Sequence, residues 1–488
     1  MISDETKQAG RRIIFDISGL EEYLSRHENF SGIQRVVASL IPAYFHSLDC
    51  EEKDLTFYAT FDKRQKDYKC GRLCDIVDSM RDPNRLRHAL GVTFQRSFNR
   101  RSQIPILKKY SRSSFKFYFH RLKLDLAYVL RNEQRFLRHN ITRSDWAQMR
   151  KSASVSRTAR FSKISAKRCI RSDDVVVMLD ASWSASSANT FRKLSRRGVK
   201  IVTLIHDMIP ISAPGFFGKS HAQRFAVWLS GSVEYTNTFI ATSASVRTEV
   251  ESYLRSVGSP QYVRALPLVQ NFPHATIPKD VQTPLCKFFR PQDYPQFNEC
   301  YDLNDQLRAL TQQPFVLCAG TIECRKNPLR LAHAWLSLLR RSCGDLPKLV
   351  FAGRKGWMIK DFEALLTATG NLYGYTEIVE HPSDVELAFL YRNCQFVVMP
   401  SLYEGWGLPV GEAFSFGKTA LISDVSSLPE VGQDLVEYCD PRSVQSIADG
   451  AWKLLETSAR LQELEAKIAS TQLRTWNDVA RDLKRILN

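Results

Sequence analysis

Residues 396–417 of the 488-residue chain read FVVMPSLYEGWGLPVGEAFSFG and form its most informative stretch. The apolar run FVVMP predicts a buried strand, and the loop after it leads into a helix at 410–416. Pro409 suits the first turn of that helix, while Gly405 and Gly407 permit positive φ and let backbone N–H groups approach a ligand. The stretch therefore predicts a strand–loop–helix unit whose loop lies at the strand's carboxyl end, where open α/β sheets bind their ligands.

Two glutamates stand on different backbone elements of this unit. Glu404 lies in the loop and Glu412 in the first turn of the helix, so both acids should border one cavity. A carboxylate there can accept hydrogen bonds from sugar or ribose hydroxyls. Glu412 alone could equally be a residue that complements the helix dipole.

A second loop, GTIECRKN at 320–327, follows the apolar run FVLCA. It places Arg325 and Lys326 at the carboxyl end of a predicted strand, and Pro328 suits the start of the next helix. Two cations beside a helix N-terminus suit a phosphate, because they supply charge and the helix supplies N–H donors. The same residues could also form a solvated basic turn.

Short apolar runs alternate with helical patterns along most of the chain, which favours parallel βα units and an α/β fold. The runs are IIFDI (13–17), VVVML (175–179), KIVTLI (200–205), TFIATS (238–243), FVLCAG (315–320), KLVFAG (348–353), EIVEH (377–381), FVVMP (396–400) and TALIS (419–423). They predict two doubly wound domains, at 1–280 and 313–450, joined by a linker at 281–312 that is rich in Pro, Gln and Asp. Helices follow at 451–488.

The stretch PSLYEGWGLPVGEAFSFGKTALISDVSSLPEVG, residues 400–432, resembles the signature of the retaining glycosyltransferases of family 4. Glu404 and Glu412 match that family's paired-glutamate motif. Further blocks of the family resemble GTIECRKN, FAGRKGW (351–357) and HPSDVELAFLYRNCQFVV (381–398), and short first-domain blocks resemble SGIQRVV (31–37) and LIHDMIP (204–210). The resemblance implies the GT-B fold, in which two Rossmann-like domains face a cleft, with the last helices packing back toward the first domain.

The resemblance also implies roles for residues of the second domain. Glu404 would contact the transferring sugar, Glu412 would hold the ribose hydroxyls, and Lys326 would neutralise the diphosphate. Arg325 would supply further charge, since Thr321 stands where many family members have an arginine. Backbone amides of the loop would touch the sugar and the β-phosphate; these are the amides of Gly405, Trp406, Gly407 and Leu408.

Three residues of the first domain are candidates of the same kind. Gly32 opens a helix after a loop, where it could allow close approach of substrate or serve as a turn glycine. His206 ends the strand KIVTLI, and the resemblance implies that it faces the donor sugar across the cleft. Asp207 could orient the imidazole ring or simply cap the loop.

The family transfers sugar with retention and without a bound metal. The chain contains no D-x-D, the pair that coordinates a metal–diphosphate in the other large transferase fold. Fixed cations and a helix dipole would then stabilise the leaving diphosphate, and that phosphate could itself accept the acceptor's proton. We therefore expect no metal and no cofactor, with a nucleotide-sugar as the donor substrate.

The net charge of +17 is concentrated in residues 81–171, which contain 24 Lys/Arg against 4 Asp/Glu. This segment predicts a basic helical insertion, with Phe115, Tyr118, Phe119, Leu122, Leu126 and Tyr128–Val129 mostly toward one face. It could lie on anionic lipid, bind nucleic acid, or be an ordinary insertion with a solvated basic face. The membrane is favoured because many related enzymes act on lipid-linked acceptors.

Composition places the protein in the cytoplasm, with peripheral attachment to the inner face of the membrane as an option. No apolar run approaches the roughly 20 residues that span a bilayer, and the first residues lack the apolar core of a signal peptide. We predict a hexosyltransferase, mannosyl- or rhamnosyl-type, with a lipid-linked or polysaccharide acceptor in cell-surface glycan synthesis. The alternatives are a non-catalytic GT-B binding protein and a nucleic-acid-binding protein.

Overall fold

The computed structural model divides into two compact units, Met1–Phe45 with Cys50–Ile170 and His46–Asp49 with Arg171–Asn488. It describes residues 11–27, 29–62, 67–92, 94, 114–130, 132–133, 136, 146, 164–165, 170–180, 185–272, 305–310, 313–342, 345–456 and 458–488. Within these ranges, no helix has the length and apolarity needed to cross a membrane.

The first unit contains a four-strand arrangement in the order β4-β3-β2-β1. Its strands are β1 (Ile13–Asp16), β2 (Thr56–Asp62), β3 (Asp67–Arg72) and β4 (Ile164–Ser165). Its helices are α1 (Ser18–Leu24), α2 (Gly32–His46), α3 (Cys50–Asp54), α4 (Pro83–Leu90) and α5 (Ser114–Val129). The β1–β2 pair is parallel, but β3 is antiparallel to both of its neighbours, which the expectation of parallel βα units did not include.

Four parallel strands begin the second unit, in the order β5-β6-β7-β8. They are β5 (Val175–Met178), β6 (Lys200–Ile205), β7 (Thr238–Ala241) and β8 (Val263–Ala265), with helices α6 (Ala185–Arg196), α7 (Ile209–Ser212), α8 (Lys219–Ser232) and α9 (Ala244–Ser256). Ile205, Phe225, Leu229, Phe239 and Val250 pack in one apolar core between strands and helices. Apolar runs that are buried on both faces explain why these strands were readable in the sequence.

Six parallel strands in the order β11-β10-β9-β12-β13-β14 form the second sheet of this unit. They are β9 (Phe315–Ala319), β10 (Lys348–Ala352), β11 (Thr376–Val379), β12 (Val397–Met399), β13 (Ala420–Ser423) and β14 (Glu437–Cys439). The helices are α10 (Asp305–Leu310), α11 (Pro328–Arg341), α12 (Lys360–Tyr373), α13 (Asp384–Asn393), α14 (Leu408–Ser415), α15 (Leu428–Gly432) and α16 (Val444–Glu456). The strand order reverses between β9 and β12, so a switch point lies there.

Two further helices, α17 (Ser458–Ser470) and α18 (Trp476–Leu487), end the chain. Arg474, just before α18, accepts hydrogen bonds at its carbonyl from the amides of Gln270 (2.9 Å) and Asn271 (3.0 Å). Its guanidinium donates to the Pro267 carbonyl at 2.9 Å. The last helix is therefore tied to the segment that follows β8. Most of the predicted linker, 281–304 and 311–312, lies outside the described residues, and the domain boundaries stay a prediction.

Candidate functional site

The switch point brings two loops together at the carboxyl edge of the second sheet. The loop after β9 carries Arg325 and Lys326, and the loop after β12 carries Glu404. The amide of Leu402 donates to the Arg325 carbonyl at 2.8 Å, which joins the two loops. Asn327 fixes the first loop further, because its side-chain amide donates to two backbone carbonyls, at 3.0 and 2.7 Å.

These loops hold a buried ion cluster, which consists of Glu323, Arg325, Lys326 and Glu404. One carboxylate oxygen of Glu404 lies 2.7 Å from Arg325 Nη1 and 2.7 Å from Lys326 Nζ. The three side chains are only 9%, 13% and 13% exposed. Burial favours a raised pKa for Glu404, but the charges of Arg325 and Lys326 outweigh it and hold the pKa at about 2. Glu404 is therefore ionised at neutral pH.

Arg325 and Lys326 differ in how the protein uses them. Arg325 donates to the Tyr403 carbonyl at 2.7 Å and to Glu323 at 2.5 Å, in addition to pairing with Glu404. Lys326 Nζ pairs with Glu404 and otherwise lies 3.9 Å from the sulfur of Met399. Arg325 is thus committed to holding the loops, whereas Lys326 retains donor capacity toward a ligand.

Sequence reasoning missed Glu323, although its position two residues before Arg325 in a loop with two cations was a usable signal. Glu323 is 3% exposed and takes the second guanidinium nitrogen of Arg325. Its carboxylate offsets part of the buried positive charge. The arginine fork is therefore held from both sides, by Glu323 and by Glu404.

His206 and Asp207 follow β6 and lie beside the second loop. His206 Nε2 lies 2.7 Å from the Leu179 carbonyl, to which it can only donate, so Nδ1 is the unprotonated nitrogen of the neutral ring. Burial lowers the pKa of His206 to about 4. Burial also raises the pKa of Asp207 to about 6, despite the opposing charge of Arg325. Asp207 Oδ1 accepts the amide of Ile209 at 3.0 Å, so this acid caps the loop and Leu179 orients the imidazole.

The glycine-rich loop after β12 approaches the His206 backbone closely. A Cβ on Gly405 would lie 2.2 Å from the His206 carbonyl oxygen, so only glycine allows this contact. Gly405 does not have positive φ, and this part of the expectation is wrong; Gly407 does, at 108°. Thr242 Oγ1 completes the contact, lying 2.7 Å from the His206 oxygen and 3.1 Å from the Gly405 oxygen.

Trp406 and Leu408 occupy different environments on this loop. The Trp406 side chain is 5% exposed, and its indole N–H donates to the Val269 carbonyl at 3.0 Å. Its ring therefore packs within the protein, and only its backbone remains a candidate for ligand contact. Leu408 is the first residue of α14, where amides have no acceptor within the helix, so the expected anion-binding end is in place.

Glu412 lies on α14 and is 3% exposed. Its carboxylate accepts a hydrogen bond from the Tyr391 hydroxyl at 2.6 Å. Tyr391 comes from α13 and stacks on Phe416 with ring centroids 5.6 Å apart. No local sequence signal linked Tyr391 to Glu412, because the two residues come from separate helices.

The remaining candidate, Gly32, is the first residue of α2 in the first unit. Among the side chains that the structure describes, no group of three or more His, Cys, Asp or Glu residues could hold a metal ion.

Comparison with known proteins agrees with this arrangement. Residues 302–471 match the family described as Glycosyl transferases group 1. The chain is 34% identical over 162 residues to O-antigen chain mannosyltransferase B of Escherichia coli, which covers 32% of the chain and 42% of that protein. It is 25% identical over 317 residues to the serotype-specific mannosyltransferase WbdA of Escherichia coli, covering 64% of the chain and 36% of that protein. The matches thus span less than half of either relative.

A solved structure is similar over almost the whole chain. HepE of Anabaena, in complex with UDP-glucose, aligns with a TM-score of 0.53 at 11% identity and covers 98% of this chain and 99% of that one. The predicted α/β fold of two Rossmann-like domains, GT-B, is thereby confirmed.

Proposed function

We propose that this chain, whose residues 302–471 belong to the group 1 glycosyltransferases, is a glycosyltransferase that takes a nucleotide-sugar donor in cell-surface glycan synthesis. The observation that carries the proposal is the buried ion cluster at the switch point, beside the N-terminus of α14. Lys326 and the amides of that helix end supply positive potential for a diphosphate. The ionised Glu404 supplies an acceptor for sugar hydroxyls.

Mannose is the favoured transferred sugar, ahead of rhamnose. The printed names of both Escherichia coli relatives are mannosyltransferases, and one of them acts on O-antigen chains. This supports a polysaccharide or lipid-linked acceptor. The likeness to HepE carries the fold and leaves the donor base open.

The mechanism we infer is retaining and metal-independent. Lys326 and the α14 amides stabilise the charge that develops on the leaving diphosphate. The leaving phosphate accepts the proton of the acceptor hydroxyl as the new glycosidic bond forms on the same face of the sugar. His206 is neutral and keeps Nδ1 as a hydrogen-bond acceptor, so it can receive a hydroxyl proton of the donor sugar without adding charge. Glu412 and Tyr391 would hold the ribose.

A thermal-shift screen of nucleotide-sugars tests the proposal, with GDP-mannose, UDP-glucose and dTDP-rhamnose as probes. A donor at 100 times its dissociation constant should stabilise the fold by about 2.7 kcal/mol. We expect GDP-mannose to give the largest shift, and slow release of GDP from it in the absence of acceptor. A chain that binds a donor but never releases the nucleotide, with any acceptor, would be a binding protein. Absence of a shift with every donor would contradict the proposal itself.

We also propose that the protein attaches to the inner face of the cytoplasmic membrane through α5. This helix exposes five large apolar side chains at helical spacing, listed here with their exposed fractions: Phe119 (44%), Leu122 (58%), Leu126 (50%), Val129 (72%) and Leu130 (73%). Its opposite side is buried at Leu124 and Ala127. The excess of positive charge in residues 81–171 complements an anionic lipid surface. Phe115 and Tyr118, also predicted on this face, have side chains outside those described.

Liposome co-sedimentation should detect this attachment. We expect binding to anionic but not zwitterionic vesicles and loss of binding at high salt, since the attraction acts within a Debye length of about 10 Å at 0.1 M. Leu122→Ser with Leu126→Ser, or Lys123→Glu, should reduce binding. Val227→Ser is the matched control, because Val227 is a 64% exposed apolar residue on α8. A wild-type protein that stays in the supernatant with anionic vesicles at low salt would exclude this role for α5.

A further inference from the structure

Three aromatic side chains of the second unit lie together outside the ion cluster. The Phe217 ring stacks on the His221 ring, with centroids 4.9 Å apart and planes inclined by 14°. The Trp357 ring lies 5.8 Å from Phe217 at an inclination of 33°. We call these three residues the aromatic shelf. Phe217 and His221 come from the loop and helix that follow Asp207, and Trp357 comes from the loop after β10.

Backbone contacts fix the aromatic shelf beside the candidate site. The amide of Cys324, the residue before Arg325, donates to the Trp357 carbonyl at 3.3 Å. The amide of Gly356 donates to the Ile322 carbonyl at 2.8 Å, and a Cβ on Gly356 would lie 2.9 Å from that oxygen. The loop after β10 is therefore pressed against the loop that carries the two cations, and Trp357 cannot move independently of it.

The accessible part of Trp357 can recognise a ligand only through its ring. The side chain is 37% exposed, although large aromatic residues are mostly buried in proteins. Its one polar group is already used, because the indole N–H donates to the Phe216 carbonyl at 2.5 Å. Phe217 adds a second half-buried ring that has no polar group. The surface on offer is thus apolar, flat and rigid, and its natural ligand has an apolar face, as the C–H face of a pyranose ring does.

We propose that the aromatic shelf is a subsite for a sugar residue of the acceptor glycan. This inference rests on the proposed function and extends it to the acceptor. The diphosphate is assigned to Lys326 and α14, so a sugar on the aromatic shelf would lie one loop away from the transferring sugar. Phe217 and His221 follow His206 and Asp207 in the chain, so acceptor and donor would be read by the same backbone segment. A nucleobase also stacks on aromatic rings, and it is the competing occupant.

Saturation-transfer NMR of the full chain distinguishes these occupants. The probes are three trisaccharides, built from mannose, glucose or N-acetylglucosamine, and separately GDP and UDP. We expect one trisaccharide to receive saturation from wild type, a loss of at least tenfold in affinity with Trp357→Ala or Phe217→Ala, and retention with Trp357→Phe. Nucleotide binding should not change in any variant. Tyr373→Ala is the matched control, because Tyr373 is a 74% exposed aromatic residue at the end of α12.

Three outcomes would overturn the proposal. Loss of nucleotide binding without loss of trisaccharide binding in Trp357→Ala would assign the aromatic shelf to the base. Equal trisaccharide binding in wild type and both alanine variants would make the rings structural. Binding of none of the three sugars by a wild type that binds nucleotide would remove the subsite while leaving the proposed function intact. Phe217→Leu, which keeps an apolar side chain, replaces Phe217→Ala if thermal melting shows the latter to be unfolded.

Discussion

Replacing Glu404 with alanine should lower the free energy of unfolding by about 3–5 kcal/mol and remove most of the transfer activity. Glu404 is the carboxylate that pairs with both Arg325 and Lys326, at 2.7 Å each. Without it two cations would remain buried, and only Arg325 would keep another carboxylate, that of Glu323. Denaturant unfolding monitored by circular dichroism measures the stability, and nucleotide release in the presence of acceptor measures the activity.

Glu437→Ala is the matched control for this loss. Glu437 is also a largely buried glutamate of the second sheet, and it pairs with Lys453 at 2.8 Å and Arg460 at 3.2 Å. Its partners are 63% and 36% exposed, so water can solvate them once the carboxylate is gone. We expect a cost of about 1 kcal/mol or less and unchanged turnover.

Glu404→Gln separates chemistry from folding, because it keeps the shape of the side chain and removes its charge. Turnover should fall more than nucleotide affinity, since the proposed contact of Glu404 is with the transferring sugar. A Glu404→Gln enzyme with wild-type turnover would rule out a catalytic role for this carboxylate.

The strands around the site were readable from the sequence because they are short apolar runs that are buried on both faces. Val175–Met178 and Phe315–Ala319 are buried throughout, and their predicted ends differ from the observed ends by one residue. Strand β3, DYKCGR, mixes charged and small residues and pairs antiparallel with β2, so periodicity gave no sign of it. Its place depends on pairing between strands, which local pattern does not encode.

The site was readable only in part, for a similar reason. The loops after β9 and β12 were each identifiable, because a glycine- or cation-rich loop at a strand's carboxyl end is a local feature. Their meeting depends on β12 returning beside β9, and no local pattern specifies that order. The contact of Gly405 with the His206 carbonyl is therefore a tertiary constraint, and positive φ was the wrong reason for this glycine.

Replacing Lys326 with alanine should reduce the transfer rate at least tenfold, equivalent to about 1.4 kcal/mol or more of activation barrier. Lys326 is the cation of the cluster with donor capacity left, because Arg325 is committed to Glu323, Glu404 and the Tyr403 carbonyl. In the proposed mechanism it stabilises the leaving diphosphate, so the loss should appear in kcat as well as in donor affinity. Steady-state kinetics with varied donor concentration separates the two.

Lys355→Ala is the control, because Lys355 also follows a strand of this sheet but pairs with Glu380 at 2.8 Å and is 43% exposed. It should leave kcat unchanged. Wild-type activity should persist in excess EDTA, since Lys326 and the amides of α14 take the place of a metal in stabilising the diphosphate. An enzyme that EDTA silences and manganese restores would contradict that assignment, even if Lys326→Ala were slow. Equal kcat for wild type and Lys326→Ala would move the phosphate charge to another residue, and Arg325 would then have to leave Glu323 or Glu404 to reach it.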